Sequence, residues 1–127
     1  MDHEDIKKNG KTWFIDIDGV IFEHNGYLKS NVDAEKPLPG ITDLFRKIAD
    51  ADVVVLVTAR KSSYKEKTIH SLYTNKIRFD YLIMDLPTGA RYLINDTKPD
   101  GTNTAFAFNL SRDVGTNSLL TDKIFKD

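Results

Sequence analysis

Two short apolar runs separated by a segment of helical periodicity most constrain the fold of this chain. Residues 12–18, TWFIDID, and 52–60, DVVVLVTAR, each have the nearly continuous apolar pattern of a strand buried on both faces. Between them, residues 41–48 carry apolar side chains at i, i+3, i+4 and i+7, the spacing of one helix face. A strand, a helix and a second strand in this order favour an α/β fold with a mainly parallel sheet.

The rest of the chain continues the alternation. A helix is predicted over residues 62–76, with Ser62 or Ser63 as N-cap and with Ile69, Leu72 and Tyr73 facing inward. Further predicted elements are strands at 79–85, 91–96 and 104–110, a turn at 98–101 and a short closing helix at 117–125. Together they predict one domain over residues 1–127, a three-layer α/β/α sandwich.

Composition narrows the class of protein. The chain has no cysteine, which excludes disulfides and thiolate metal sites and favours a cytoplasmic protein. A net charge of −1 gives no electrostatic reason to expect nucleic acid or an anionic membrane as a partner. The polar N-terminus is not a signal peptide, and no apolar run is long enough to span a bilayer.

Polar residues stand where the predicted strands end. Asp16 and Asp18, followed by Gly19, end the first strand; Thr58 ends the second and Asp96 the fourth. Ligands of open parallel sheets bind outside the carboxyl ends of the strands, so these side chains are expected at one edge. Mg²⁺ prefers such oxygen ligands, and two carboxylates ending one strand repel each other without a cation.

Phosphoryl transfer is the chemistry that such a group suits. One carboxylate can attack phosphorus and form an aspartyl phosphate. The carboxylate two residues later lies on the same side of the strand and can move protons. Thr58 offers a hydroxyl, and the amides after it, from Ala59 onward, open a predicted helix and so form an anion site.

These residues resemble a known family. DIDGV at residues 16–20, the strand-terminal Thr58 and INDTKPD at residues 94–100 look like the motifs of haloacid dehalogenase (HAD) superfamily phosphatases. The resemblance covers residues 13–101. It implies a Rossmann-like sheet whose first strand lies in the middle, beside the strands that end in Thr58 and Asp96.

The resemblance also implies roles. Asp16 would be the nucleophile, Asp18 the general acid/base, and Thr58 with Ala59 the site for the transferring phosphoryl group. The implied Mg²⁺ residues are Asp16, Asp18 (through its backbone carbonyl), Asp96 and, through water, Asp100.

The family's phosphate-neutralising cation has several candidates here. The position that carries lysine in some relatives aligns with Leu86, which cannot serve. Arg91 begins the predicted fourth strand, roughly 10 Å or more from its end at about 3.3 Å per residue. Lys98, in the acidic loop, is closer to that end. The other candidates are Arg60 and Lys61.

The family's substrate cap is missing, because residues 23–39 provide only a loop or flap. An open site is closed by a large substrate or by a neighbouring subunit, so a homo-oligomer is one alternative.

The predicted function is Mg²⁺-dependent hydrolysis of a phosphate monoester: a sugar phosphate, a nucleotide or a related metabolite. The main alternative is a catalytically silent phosphate- or partner-binding module on the same scaffold. A phospho-receiver domain fits less well, because its phosphorylated aspartate would end the strand that here ends in Thr58.

Overall fold

A computed structural model of the chain describes residues 10–29, 33–121 and 125. Residues 1–11 are predicted to be a frayed lead-in, and most of it, residues 1–9, lies outside the described residues, as do residues 30–32 of the predicted flap. The strands are β1 (Thr12–Asp16), β2 (Val53–Val57) and β3 (Tyr81–Ile83), and the α-helices are α1 (Ile41–Lys47) and α2 (Lys65–Thr74). Three 3₁₀ turns complete the elements, at Gly26–Leu28, Ser62–Tyr64 and Asn117–Thr121.

The three strands form a parallel sheet in the order β1-β2-β3. Asp16 pairs with Val57, and Val57 pairs with Ile83, so all three strands end at one level. The chain returns through α1 between β1 and β2, and through α2 between β2 and β3. The α/β class and the parallel sheet are thus as predicted, and the residues that follow each strand meet at one edge.

The position of β1 differs from the prediction. β2, not β1, is the middle strand of the described sheet, and β1 pairs only with β2. Burial alternates along β1: Ile15 is buried, whereas Phe14 is 57% exposed. Phe14 shares its face with Tyr81, which is also exposed. Both helices contribute to the core on the opposite face, so the described helices and sheet form two layers.

The hydrophobic core lies between the two helices and the sheet face that carries Ile15. It comprises Ile15, Ile17, Ile21, Phe22, Ile41, Leu44, Ile48, Val54, Leu56, Leu72 and Ile77. The predicted apolar face of α1 is confirmed at Ile41, Leu44 and Ile48. Burying each such side chain stabilises the fold by about 1.5–3 kcal/mol.

The inward face of α2 differs from the prediction. Leu72 is buried, but Tyr73 is 84% exposed, and Thr68 and Ser71 are buried in its place. These two small polar residues can face inward because both accept hydrogen bonds there, as described below. Neither serine of the predicted N-cap caps the helix with its side chain.

The predicted strands at 91–96 and 104–110 are absent, since the structure has no strand between residues 84 and 116. Ile94 is 92% exposed, and almost the whole segment 87–114 lies at the surface. Apolar runs such as these form strands only when a partner strand and a covering layer are present. The predicted turn at 98–101 is confirmed: the Gly101 amide donates to the Lys98 carbonyl at 2.8 Å.

The segment after residue 110 returns to the body of the molecule. The Asp113 amide donates to the Gly19 carbonyl at 2.9 Å, and the Thr116 amide donates to the Pro39 carbonyl at 2.8 Å. The 3₁₀ turn Asn117–Thr121 then packs near α1. This turn occupies the first part of the segment 117–125, over which the sequence predicts a closing helix. Among the described residues, no helix has the length and apolar character needed to cross a membrane.

Candidate functional site

The two aspartates flank a tight turn at the end of β1. Asp16 is the last residue of the strand, Ile17 is fully buried, and Asp18 begins the turn. The Ile17 carbonyl accepts the amides of Ile21 and Phe22 at 2.9 and 3.1 Å, which closes the turn. Gly19 adopts φ 88°, a left-handed conformation that glycine tolerates best. The turn therefore holds both carboxylates at the carboxyl edge of the sheet.

Thr58 lies beside Asp18, directly after β2. Its hydroxyl is fully buried, donates to Oδ2 of Asp18 at 2.9 Å, and accepts the Arg60 amide at 3.0 Å. A hydroxyl has one proton, so in this arrangement Thr58 cannot also donate to a phosphate. The neighbouring Ala59 amide makes no hydrogen bond within the described residues and is therefore free to donate to an anion.

Arg60 is buried between two carboxylates. Its guanidinium is 1% exposed; it donates to Asp18 through Nε at 3.1 Å and to both oxygens of Glu35 at 2.8 and 2.9 Å. Nη2 also lies 3.0 Å from Asp18, and Nη1 donates to the Thr68 hydroxyl at 3.1 Å. The Tyr27 ring lies against the guanidinium, with its centroid 4.2 Å from Cζ.

This environment keeps Arg60 charged. Burial disfavours the charged guanidinium most strongly, but the hydrogen bonds with Glu35 and Asp18 outweigh burial and raise the pKa of Arg60 above its ordinary value. A buried charge with two hydrogen-bonded counterions is strongly held, and removal of one partner of such a pair typically costs about 3–5 kcal/mol.

Arg91 contacts the predicted nucleophile. Its Nη1 lies 3.1 Å from Oδ1 of Asp16, and both side chains are about 40% exposed. The contact is possible because residues 91–96 are not a strand, so the strand-length argument against Arg91 does not apply. Lys98 is exposed in its turn and makes no ion pair within the described residues.

Asp96 and Asp100 are not brought to the two aspartates of β1. Asp96 is exposed, and its carbonyl accepts the Thr104 hydroxyl. Asp100 accepts the Thr102 amide at 2.9 Å, and hydrogen bonds with the Thr102 side chain and backbone lower the pKa of Asp100 below its ordinary value. Within residues 10–29 and 33–121, no three acidic, histidine or cysteine side chains cluster as metal ligands.

The donors present at the edge nevertheless suit a hard cation. The second carboxylate oxygen of Asp16 and the Asp18 carbonyl accept no hydrogen bond within the described residues. Mg²⁺ binds oxygen ligands, keeps several waters and needs only one or two carboxylates together with substrate phosphate. Asp16 and the Asp18 carbonyl are therefore the residues that could hold it.

Glu35 is the residue at this site that the sequence analysis did not find. It lies in the polar segment after the 3₁₀ turn, yet it is 6% exposed, because its amide donates to Ser71 and its carboxylate binds Arg60. A glutamate in a polar loop gives no sequence signal of burial. Only the buried arginine, which requires a counterion, points to it.

Comparisons with known proteins support the fold class. No family model matches the sequence, and the search of curated proteins gives no match. A chain in the structure of the Pnkp1/Rnl/Hen1 RNA repair complex superposes with a TM-score of 0.52 at 24% identity, over 65% of this chain and 28% of that chain. The present chain thus spans little more than a quarter of that protein. At this identity, the likeness extends to the α/β fold alone.

Proposed function

We propose that the protein is a Mg²⁺-dependent phosphatase that hydrolyses a phosphate monoester through an aspartyl phosphate on Asp16. The observation that carries the proposal is the pairing of Asp16 with Arg91 beside Asp18 and Thr58, all at the carboxyl edge of one parallel sheet. A nucleophile, a cation and a second carboxylate are groups that suit phosphoryl transfer, and the Thr58 hydroxyl holds the second carboxylate.

The proposed reaction has two steps. An oxygen of Asp16 attacks phosphorus, the bond to the leaving oxygen breaks, and Asp18 gives that oxygen a proton. Asp18 then takes a proton from water, which attacks phosphorus, releases inorganic phosphate and restores the Asp16 carboxylate. Arg91 and the Ala59 amide offset charge on the phosphoryl oxygens. Asp16 and the Asp18 carbonyl would hold Mg²⁺, which would act as a Lewis acid on the same oxygens.

Hydrolysis of para-nitrophenyl phosphate tests the proposal. Wild type, Asp16→Asn and Asp18→Asn are assayed with Mg²⁺ and with a chelator, and Asp43→Asn serves as the control. Asp43 is an exposed aspartate that pairs with Arg46 on the surface of α1, away from the site. Metal-dependent turnover in wild type and Asp43→Asn, lost in the other two variants, is expected. Equal turnover in all four proteins would contradict the proposal.

A second candidate function is a phosphate- or partner-binding module without turnover. Both carboxylate oxygens of Asp18 are engaged by Thr58 and Arg60, which favours a structural role for this aspartate. Calorimetric binding of inorganic phosphate by a wild type that hydrolyses no ester would favour this candidate.

The substrate screen for the phosphatase includes sugar phosphates and nucleotides. It also includes an RNA with a terminal phosphate, because the similar fold occurs in an RNA repair complex.

The three-layer α/β/α sandwich is part of the same proposal. A second layer over the sheet would cover Phe14 and Tyr81, the apolar side chains that one face exposes. Hydrogen exchange tests this: slow exchange of amides in residues 104–110 is expected if that segment packs on this face, and fast exchange throughout it would contradict the sandwich.

A further inference from the structure

Every nitrogen of the Arg60 guanidinium lies within hydrogen-bond distance of a carboxylate or hydroxyl oxygen. Nε donates to the Asp18 carboxylate at 3.1 and 3.2 Å. Nη1 donates to Glu35 and Thr68 at 2.9 and 3.1 Å, and Nη2 donates to Glu35 at 2.8 Å and lies 3.0 Å from Asp18 Oδ1. The Arg60 side chain is also wholly buried, so a substrate phosphate cannot reach it. Arg60 is therefore not the phosphate-neutralising cation.

Glu35 and Tyr27 fix the orientation of the Arg60 guanidinium through contacts on the side away from Asp18. Both oxygens of Glu35 bind its end, and the Tyr27 ring covers its face at 4.2 Å. Glu35 is fixed in turn by α2 and the residue after it: its amide donates to Ser71 Oγ at 3.0 Å, and its carbonyl accepts Asn75 Nδ2 at 2.7 Å. A rigid chain of contacts thus runs from α2 to the Asp18 carboxylate.

We propose that Glu35 and Arg60 form a positioning pair that sets the orientation of the Asp18 carboxylate for proton transfer. The inference rests on the proposed function and extends it to two residues that do not touch substrate. Proton transfer from a side chain requires hydrogen-bond reach of the leaving oxygen, so a reorientation of Asp18 removes its assistance. The Arg60 Nε–H group donates to both Asp18 oxygens, and Nη2 lies 3.0 Å from Oδ1. The planar guanidinium therefore fixes the carboxylate from one side, which the ammonium of a lysine could not reproduce.

Leaving-group dependence tests the pair, because it separates loss of acid assistance from general damage. An alkyl phosphate, such as glycerol 2-phosphate, needs a proton on its leaving oxygen, whereas para-nitrophenolate leaves without one. For Glu35→Gln, Thr68→Val and Arg60→Lys we expect kcat/KM for the alkyl ester to fall about 10²-fold more than kcat/KM for the aryl ester. The comparison uses kcat/KM because it reports the step in which the leaving group departs, whereas kcat also includes the hydrolysis of the aspartyl phosphate that both esters share. Glu23→Gln and Arg46→Lys, at exposed ion pairs, are the matched controls and should lose nothing.

A spectroscopic measurement accompanies the kinetics. In wild type the Arg60 Nε–H proton should exchange slowly and resonate separately from those of exposed arginines, and it should lose both properties in Asp18→Asn.

Thr68→Val removes a single acceptor, so it keeps the kinetic test available if Arg60→Lys does not fold.

The outcomes distinguish the two proposals. An active wild type whose Glu35 and Thr68 variants lose kcat/KM equally for both esters overturns the positioning pair and leaves the phosphatase standing. A wild type that cleaves neither ester overturns the phosphatase, and the positioning pair with it.

Discussion

The Arg91 guanidinium lies 3.1 Å from the Asp16 carboxylate, although 75 residues of sequence separate the two. The contact places a cation on the proposed nucleophile from a segment with no strand of its own. Its partial exposure makes it weak as a stabilising ion pair, since such pairs contribute about 0–1 kcal/mol. We therefore expect its effect on catalysis to exceed its effect on stability.

Replacement of Arg91 by methionine should lower kcat for para-nitrophenyl phosphate about 10²–10³-fold, the loss typical of removing one group that stabilises developing charge. The melting temperature should change little. The same replacement at Lys98 should have a much smaller effect, because Lys98 makes no contact with Asp16 in the structure. A larger loss in Lys98→Met than in Arg91→Met would assign the neutralising cation to Lys98.

The buried hydroxyl of Thr58 should matter to stability as well as to activity. Thr58→Val has nearly the same shape but removes the donor to Asp18 and the acceptor for the Arg60 amide. We expect the free energy of unfolding in urea to fall by about 1–3 kcal/mol, the cost of buried groups left unsatisfied. Thr58→Ser keeps the hydroxyl and should restore most of the loss; equal destabilisation by both variants would contradict a role for these hydrogen bonds.

The turn after Asp18 should not accept a side chain at Gly19. A Cβ there would lie 3.2 Å from Arg112 Cγ, and the backbone φ of 88° is strained for alanine. We expect Gly19→Ala to destabilise the protein by about 1–3 kcal/mol and to lower kcat, because the turn orients both aspartates. Gly89→Ala is the control: a Cβ there has nothing within 4 Å, so the melting temperature should be unchanged.

Asp52 should make stability fall at acid pH. Burial opposes ionisation of this carboxyl, but hydrogen bonds from the Trp13 indole and the Lys11 amide outweigh it and lower the pKa of Asp52. A lowered pKa adds stability above the ordinary value of about 4, and this contribution is lost as the pH falls toward the pKa in the folded state.

Urea unfolding followed by Trp13 fluorescence checks this expectation. The difference in unfolding free energy between wild type and Asp52→Asn should be largest near neutral pH and should shrink below about pH 4. A difference that stays constant down to strongly acid pH would show that the ionisation of Asp52 does not stabilise the fold.

The sequence predicts the residues at the carboxyl edge of the sheet well, but it does not predict the residues that hold them in position. Asp16, Asp18 and Thr58 end apolar runs, and parallel strands bring their carboxyl ends together, so their proximity follows from pattern alone. Glu35 is invisible to this reasoning, since its burial depends on which loop covers Arg60. Thr68 and Ser71 are buried on α2 where the sequence predicts Tyr73, because their hydroxyls accept hydrogen bonds from Arg60 and from the Glu35 amide.

The strands predicted at 91–96 and 104–110 differ for another reason. Their composition suits strands, but strand formation depends on a neighbouring strand and a covering layer that composition does not encode. The error also affected Arg91: the expectation that it lies far from the site assumed an extended strand, and without that strand its side chain reaches Asp16.

The hydrogen bond from the Asp113 amide to the Gly19 carbonyl has a consequence for biosynthesis. Strands β1 and β2 are made early, but the turn that carries Asp18 receives this contact only after residue 113 has left the ribosome. Contacts between residues so distant in sequence form late and slow folding. A nascent chain stopped before that point would present the aspartates on an unfinished turn, so we expect the site to mature only near the end of translation of this segment.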